Sequence, residues 1–336
     1  MKHPMLRGAA EFYRNYPNLK KDTDGKYHIY NTALHEHLWG AKDVVDDLSL
    51  MNGLFPTVIR ASEILHVDED MRPKWQEIVD NLAPYPTNET PDALGTLKHK
   101  DGLTTLARGI GPTYLERGTG SESPRLRMVE QFDVVTLESQ NNDLRELVMA
   151  TYEAHPGYEN YHNGIGGSGS SRFPVIAARL GRSDDMEVYL PMWLKHFEGS
   201  WETPNGLAEK EGEEAYSVQA YGIFSDAIQQ SLCQSLSPSH DEKPVIRVFP
   251  AWPKKWDAAF KLLCKGGFLV SSSMKKGNVE YVEIHSQIGG ECKIRNPWTD
   301  AEVLLKDDHD KTKVLTGPLL RFETEKGDTI ILSKTE

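Results

Sequence analysis

Cysteine is scarce in this chain: Cys233, Cys264 and Cys292 are the only three in 336 residues. Their spacing fits no zinc pattern and their odd number gives no disulfide framework, so they read as small buried apolar residues. The redox compartment stays open on that count. Long apolar runs are missing too. None approaches the roughly 20 residues needed to cross a bilayer. Residues 1–20 carry charge throughout and show no apolar core of a secretory signal, so none is expected there. Positive charge is the third shortage. Lys and Arg number 38 against 50 Asp and Glu, for a formal net charge of -12, and no basic cluster is long enough to follow a phosphate backbone. That argues against nucleic acid and against an anionic membrane as partners. The glycine-rich run 157–172, GYENYHNGIGGSGSSR, also fails as a phosphate loop. No Gly-Lys-Ser/Thr follows it, no strand precedes it, and G-x-G-x-x-G spacing is absent. No cofactor and no metal are expected.

The period of the apolar residues changes along the chain. Met5, Leu6, Ala9, Ala10, Phe12 and Tyr13 repeat at helical spacing, with Pro4 suited to a first turn and Pro17 ending it. Asp47–Leu65 carries a second stripe, with Pro56 inside it marking a kink or a boundary. Further helices are expected over Asp68–Leu82 (Asp68 as N-cap), Leu144–Ala154, Phe173–Leu180, Glu187–Phe197 and Tyr216–Ser235. Long Gly- and Pro-rich connections at 84–125 and 156–172 separate them, and loops of that length usually carry function. Beyond residue 244 the period becomes two. Val245–Phe249, Phe268–Val270, Tyr281–Ser286, Cys292–Arg295, Val303–Leu305 and Thr329–Leu332 read as strands. Helices followed by strands predict two domains, with a boundary near Ser237–Lys243.

Two clusters stand out chemically. In YHIYNTALHEHLWGAKDVVDD, residues 27–47, His35, Glu36, His37 and Trp39 share a loop. Imidazoles at i and i+2 cannot share a helix face, so this is not the zinc helix signature. It reads either as a packed loop or as a sugar subsite, with Trp39 stacking on a pyranose and Glu36, His35 and His37 bonding hydroxyls. In the second cluster, Tyr161, His162 and Asn163 combine aromatic faces with neutral hydrogen-bonding groups. The glycines after them let backbone approach a ligand closely, or simply make a flexible connector.

The strings FPAWPKKW, GGFLV and SQIGGECKIRNPW, spanning 249–298, closely resemble the barrel-to-sandwich junction of glycoside hydrolase family 95, the α-L-fucosidase and α-L-galactosidase family. PMLRGAAEFY resembles a helix from the middle of that family's toroid. The resemblance is strong over 4–84 and 216–298 and weak over 85–215. It implies a mainly α fold with a C-terminal all-β domain: an incomplete (α/α)6 toroid over 1–240 and a small antiparallel β-sandwich over 245–336. By the same comparison, the family's N-terminal sandwich and first barrel helices lie outside this sequence, as in a fragment or one subunit of a split protein. Family members are often secreted or periplasmic. The partners implied are an oligosaccharide or glycan, together with the missing N-terminal half or a second copy of the chain.

Position by position, the resemblance is uneven. After Gly25–Ile29, similar to the family's dGKYxI strand, Glu36 matches the glutamate of a Ser-Pro-Glu-Asn motif that faces the cleft. The family's general acid, in Leu-Gln-Glu-Trp soon after an Asp-Gly, has no carboxylate counterpart in Leu103–Gly109, and Glu116 is the nearest substitute. The stretch 169–181 resembles TGWSLAWRxxLWARLGD, which brings Arg172 to the cleft border. The aspartate of QIDGNFG is replaced by Tyr221, a phenol of ordinary pKa near 10 and a poor base at neutral pH. Inverting hydrolysis needs one protonated and one ionised carboxyl roughly 6.5–9.5 Å apart. Two expectations follow: a glycosidase hydrolysing α-L-fucosides or α-L-galactosides with relocated carboxylates (Glu36, Glu116 or Glu138), or a catalytically silent carbohydrate-binding or scaffold fragment.

Overall fold

The computed structural model describes residues 3–34, 38–111, 124–164, 171–198, 218–299 and 301–335. Helices come first and β-sheets follow, the fold class of a partial α-helical toroid with a C-terminal β domain. By contact the chain divides into two compact units. Unit 1 comprises 1–135, 139–163 and 239–241, and unit 2 comprises 136–138, 164–238 and 242–336.

Unit 1 is built on three helices, α1 (His3–Arg14), α2 (Val45–Leu65) and α3 (Arg72–Asp80). Their apolar stripes meet in one core: Ala10 from α1, Leu48, Met51, Phe55 and Val58 from α2, Trp75 and Ile78 from α3. The buried Trp75 indole donates to Glu11 Oε1 at 2.9 Å, which satisfies its only polar group. Pro56 lies inside α2 without ending it. The helix expected from Asp68 starts at Arg72 instead. Asp68 sits at φ 51°, outside helical space, and its carboxylate pairs with Arg7 at 3.1 Å, while Pro73 presets the first turn.

Between α1 and α2 lie two hairpins, β1 (Leu19–Lys21) with β2 (Tyr27–Ile29) and β3 (Thr32–Leu34) with β4 (Leu38–Ala41). The connection after α3 is packed rather than loose over its described part, 81–111. It carries β5 (Ala93–Leu94) paired with β6 (Gly109–Ile110), and the Leu106 amide donates to Thr151 Oγ1 at 2.8 Å. A 3-10 turn, Pro124–Leu126, leads into α4 (Arg127–Glu130) and then α5 (Asn142–Ala154), capped by the Asn141 side chain. The connection expected at 156–172 begins instead with a helix, α6 (Pro156–His162). Pro156 takes its first position and His155 Nδ1 accepts from Gly157 N at 3.0 Å.

In unit 2, α7 (Phe173–Arg179) is buried along its whole length and packs with α8 (Ser183–Glu198) and α9 (Val218–Leu232). Trp193 of α8 meets Phe224 of α9 edge to face at 5.2 Å. The helix expected to reach Ser235 stops at Leu232, and β7 (Cys233–Leu236) begins at the next residue. The strands that follow are β8 (Val245–Val248), β9 (Ala258–Cys264), β10 (Phe268–Lys275), β11 (Asn278–Ser286), β12 (Gly290–Arg295), β13 (Val303–Asp307), β14 (Thr312–Leu315), β15 (Leu319–Thr324) and β16 (Thr329–Lys334).

They form a six-stranded sheet, β14-β13-β16-β11-β10-β9, and a four-stranded sheet, β15-β12-β8-β7. Alternate residues of both sheets fill one core, with Val270, Val282, Ile284 and Leu332 from the larger and Ile246, Cys292, Ile294 and Phe322 from the smaller. Pairing is antiparallel except between β8 and β12, which run parallel at Ile246 and Ile294. Pro250 and Pro253 turn the chain after β8. The two indoles there pack on each other, 5.7 Å apart, and Trp252 Nε1 donates to Trp256 O at 3.1 Å.

Candidate functional site

The excursion 30–42 carries the first sequence cluster, and its base is pinned by one aspartate. Asp43 adopts φ 50°. In that conformation its amide donates to Ile29 O at 2.8 Å and its Oδ1 accepts from Ile29 N at 3.0 Å. Asp43 Oδ2 lies 2.6 Å from His28 Nδ1, and Asp24 Oδ2 lies 3.0 Å from His28 Nε2. Both imidazole nitrogens thus face carboxylate oxygens, which only the doubly protonated ring can satisfy. Burial pulls the His28 pKa down, but hydrogen bonds to Asp43 and Asp24 outweigh it and hold the ring above its ordinary value. Burial likewise pushes the Asp43 carboxyl up, against the pull of His28 and the Ile29 amide. With both Asp43 oxygens accepting from N–H donors, the ionised carboxylate is the form that this geometry satisfies.

A second polar layer lies beside this clamp. The Tyr30 hydroxyl donates to Asp22, and Lys42 Nζ is 3.5 Å from Asp22 and 4.9 Å from the Tyr30 ring centroid. From this base the hairpin β3–β4 projects Trp39, 59% exposed. His35, Glu36 and His37 lie outside the described residues, as does Glu116. Their points of departure are described, however. Lys42 and Ile110 exchange backbone hydrogen bonds of 2.6 and 2.8 Å, which brings Gly111 alongside Ala41. In sequence, Glu36 precedes Ala41 by five residues and Glu116 follows Gly111 by five.

The other expected site residues are dispersed over several elements. Tyr161 is buried within unit 1, at the last turn of α6. His162 is exposed, stacks on Tyr158 at 4.3 Å, and its Nδ1 lies 2.8 Å from Tyr158 O. Asn163 caps the helix and is exposed. In unit 2, Arg172 immediately precedes α7 and Tyr221 is half-buried on α9. Glu138 belongs to no open site. It is buried, Arg247 Nε donates to its Oε1, and Arg295 donates to its Oε2 at 2.9 and 2.6 Å. This carboxylate ties residues 136–138 to β8 and β12, which corrects its place among the catalytic candidates.

One feature lies outside the residues that the sequence singled out. A groove of about 540 Å³ in unit 1 is lined by Leu103, Thr104, Asp143, Glu146, Leu147, Met149, Ala150 and Glu153. Asp143, Glu146, Ala150 and Glu153 recur at helical spacing along α5, the one signal that could have grouped them. His99 forms its flank: Nδ1 accepts from Asp101 N at 3.1 Å, so Nε2 carries the proton and faces Glu153 Oε2 at 3.5 Å. Leu103 and Thr104 stand where the family resemblance would have placed a general acid. Among the described residues no cluster of three or more His, Cys, Asp or Glu could hold a metal ion, and no helix is long and apolar enough to cross a membrane.

Residues 239–332 match the family model for the C-terminal domain of glycoside hydrolase family 95. The sandwich is therefore of the family 95 type. No curated protein sequence matches the chain. Among solved structures, a GH127 β-L-arabinofuranosidase from Geobacillus stearothermophilus T6 is similar at 12% identity, with a TM-score of 0.22, over 83% of this chain and 41% of that one. A protein described as a glycoside hydrolase is similar at 9% identity, with a TM-score of 0.31, over 99% of this chain and 52% of that one. The chain thus spans about half the length of these structures, and at such scores the likeness identifies no shared site.

Proposed function

We propose that this chain is the C-terminal part of a glycosidase-like module related to family 95, with α-L-fucoside or α-L-galactoside units of a neutral glycan as its ligand. The observation that carries this reading is the family 95 match over the sandwich, preceded in the same chain by paired helices. It favours a division into a toroid fragment, 1–240, and a sandwich, 245–336. The pinned hairpin with its exposed Trp39 supports a stacking subsite, since neutral sugars are held by aromatic faces and dense hydroxyl bonding. Glu36 is the first choice for a functional carboxylate, because it matches the cleft-side glutamate of the family resemblance, and Glu116 the second, as the nearest carboxylate beyond the family's general-acid position. In unit 1, His35, His37, His162 and Asn163 would bond hydroxyls, with Tyr161 packed behind them; in unit 2, Arg172 and Tyr221 are ligand contacts by the family resemblance alone.

The test is hydrolysis of aryl α-L-fucoside and α-L-galactoside by the chain and by Glu36→Gln and Glu116→Gln. Loss of turnover in Glu36→Gln with sugar binding retained is the expected result. Turnover unaffected by Glu36→Gln removes that residue from the chemistry. A second reading, a silent carbohydrate-binding fragment, is favoured by Tyr221 standing at the family's aspartate position. It predicts no hydrolysis, with sugar binding that Trp39→Ala abolishes.

A further inference from the structure

Two of the three cysteines lie side by side at one edge of the sandwich. β9 is the last strand of the larger sheet and β7 the last strand of the smaller. Cys264 ends β9 and Cys233 opens β7, and their Sγ atoms are 3.4 Å apart. The same corner is held by a second contact, since Lys265 N donates to Ser235 Oγ at 2.9 Å. Ser235 and Cys233 share one face of β7, so two successive inward positions of one edge strand meet the end of the other. A disulfide needs sulfurs about 2.05 Å apart, so closing this gap requires a movement of about 1.4 Å.

We propose that Cys233 and Cys264 are a modification site, a dithiol that oxidises to a disulfide and staples the two sheets together at their common edge. The step balances with a peroxide as oxidant. The Cys264 thiolate attacks the peroxide O–O bond, giving a sulfenic acid and releasing hydroxide from hydrogen peroxide. The Cys233 sulfur then attacks the Cys264 sulfur, the S–S bond forms and water leaves. The two thiols lose two electrons in total, and the peroxide gains them. The order of attack follows from the surroundings. Cys264 accepts hydrogen bonds from the Cys233 thiol and the Ser235 hydroxyl, which outweigh burial and make it the easier thiol to ionise. The hydrogen bond to Cys264 and burial both push the Cys233 thiol up. Cys292 on β12 is buried and pushed up by that burial, which makes it the bystander.

The experiment titrates thiols in the denatured chain before and after treatment of the native protein with hydrogen peroxide, and maps cross-linked peptides by mass spectrometry. Three thiols are expected to fall to one, with residues 233 and 264 in one linked peptide, restored by a dithiol reductant. Cys292→Ala should oxidise like the parent chain, while Cys264→Ala should not form the link. The oxidised parent should unfold at a temperature several degrees above the reduced form, because the bridge ties two strands separated by a chain of some thirty residues. Three titratable thiols remaining after treatment, or a link through Cys292 instead, overturns the proposal. The parent chain alone decides the result, so a variant that fails to fold does not obscure it.

Discussion

Glu138 carries one negative charge into the interior of unit 2 and meets two guanidinium groups, each of which stays about one-third exposed. Removing the acid strands two cations that can still reach water, whereas removing an arginine leaves the buried carboxylate with one partner. Glu138→Gln preserves the volume and loses the charge-assisted bonds, so it should cost about 1.5–3 kcal/mol, measured as a lowered urea midpoint for unit 2. Trp39 is the opposite case. It is well exposed, so Trp39→Ala should leave the unfolding free energy within about 0.5 kcal/mol of the parent while weakening sugar binding. A thermal shift as large as that of Glu138→Gln would make the indole a structural residue. Gly53 reverses an ordinary expectation. Gly→Ala within a helix usually gains about 1 kcal/mol. Here an added Cβ would lie 2.9 Å from the Phe132 carbonyl oxygen, a backbone atom with little room to move. Gly53→Ala should therefore destabilise unit 1 by about 1–2 kcal/mol net, read from thermal or urea unfolding.

Among the elements, the hairpin base makes a pH prediction whose sign is fixed by His28. Its pKa is raised in the folded chain, so protonation stabilises the clamp fully below the unfolded value of about 6.5. That contribution is lost as pH rises through the folded pKa. Hydrogen exchange at Ile29 and Asp43, corrected for intrinsic rates, should show more protection at pH 6 than at pH 9. Asp43→Asn keeps a residue that tolerates positive φ but removes the charge, and should bring the His28 titration by NMR back toward its ordinary value. This clamp could not be read from the sequence, because it depends on Asp43 taking a left-handed conformation that no local motif demands. Other elements were plain. The apolar stripe of Leu144–Ala154 and the alternation of Tyr281–Ser286 each point to one local structure. β9 was hidden because Ala258-Ala259 and Leu262-Leu263 put apolar residues on both faces, and Leu263 is indeed exposed. β7 was hidden because Ser231–Leu236 continues the helical spacing of α9. For α6, Gly157 masked a helix that Pro156 and His155 start. Of the candidate site, the position of Trp39 outside any helix was legible, whereas the α5 groove depended on contacts with Leu103 and Thr104 far away in sequence.

For the whole molecule, the two units have separate apolar cores and the chain passes between them more than once. Met5 (79% exposed) and Phe12 (60%) on α1 lie with Ile64 and Leu65 among the exposed apolar side chains of unit 1. Surface of that kind favours association. Sedimentation should show concentration-dependent self-association that Met5→Glu with Phe12→Glu reduces, and a strictly monomeric parent chain would count against it.

The start of the sandwich has a consequence for how such a chain can change over generations. The family 95 match begins at residue 239, yet the smaller sheet draws its edge strand from 233–236 and the Arg247–Arg295 pair draws its acid from residue 138. A gene exchange with its crossover at the start of that match would deliver a sheet lacking one strand and two arginines lacking their carboxylate. The sandwich is thus not a cassette that can be moved by itself. Recombination that preserves folding must break before Cys233 and must also supply the carboxylate of Glu138, so chain well upstream of the match is inherited with the sandwich.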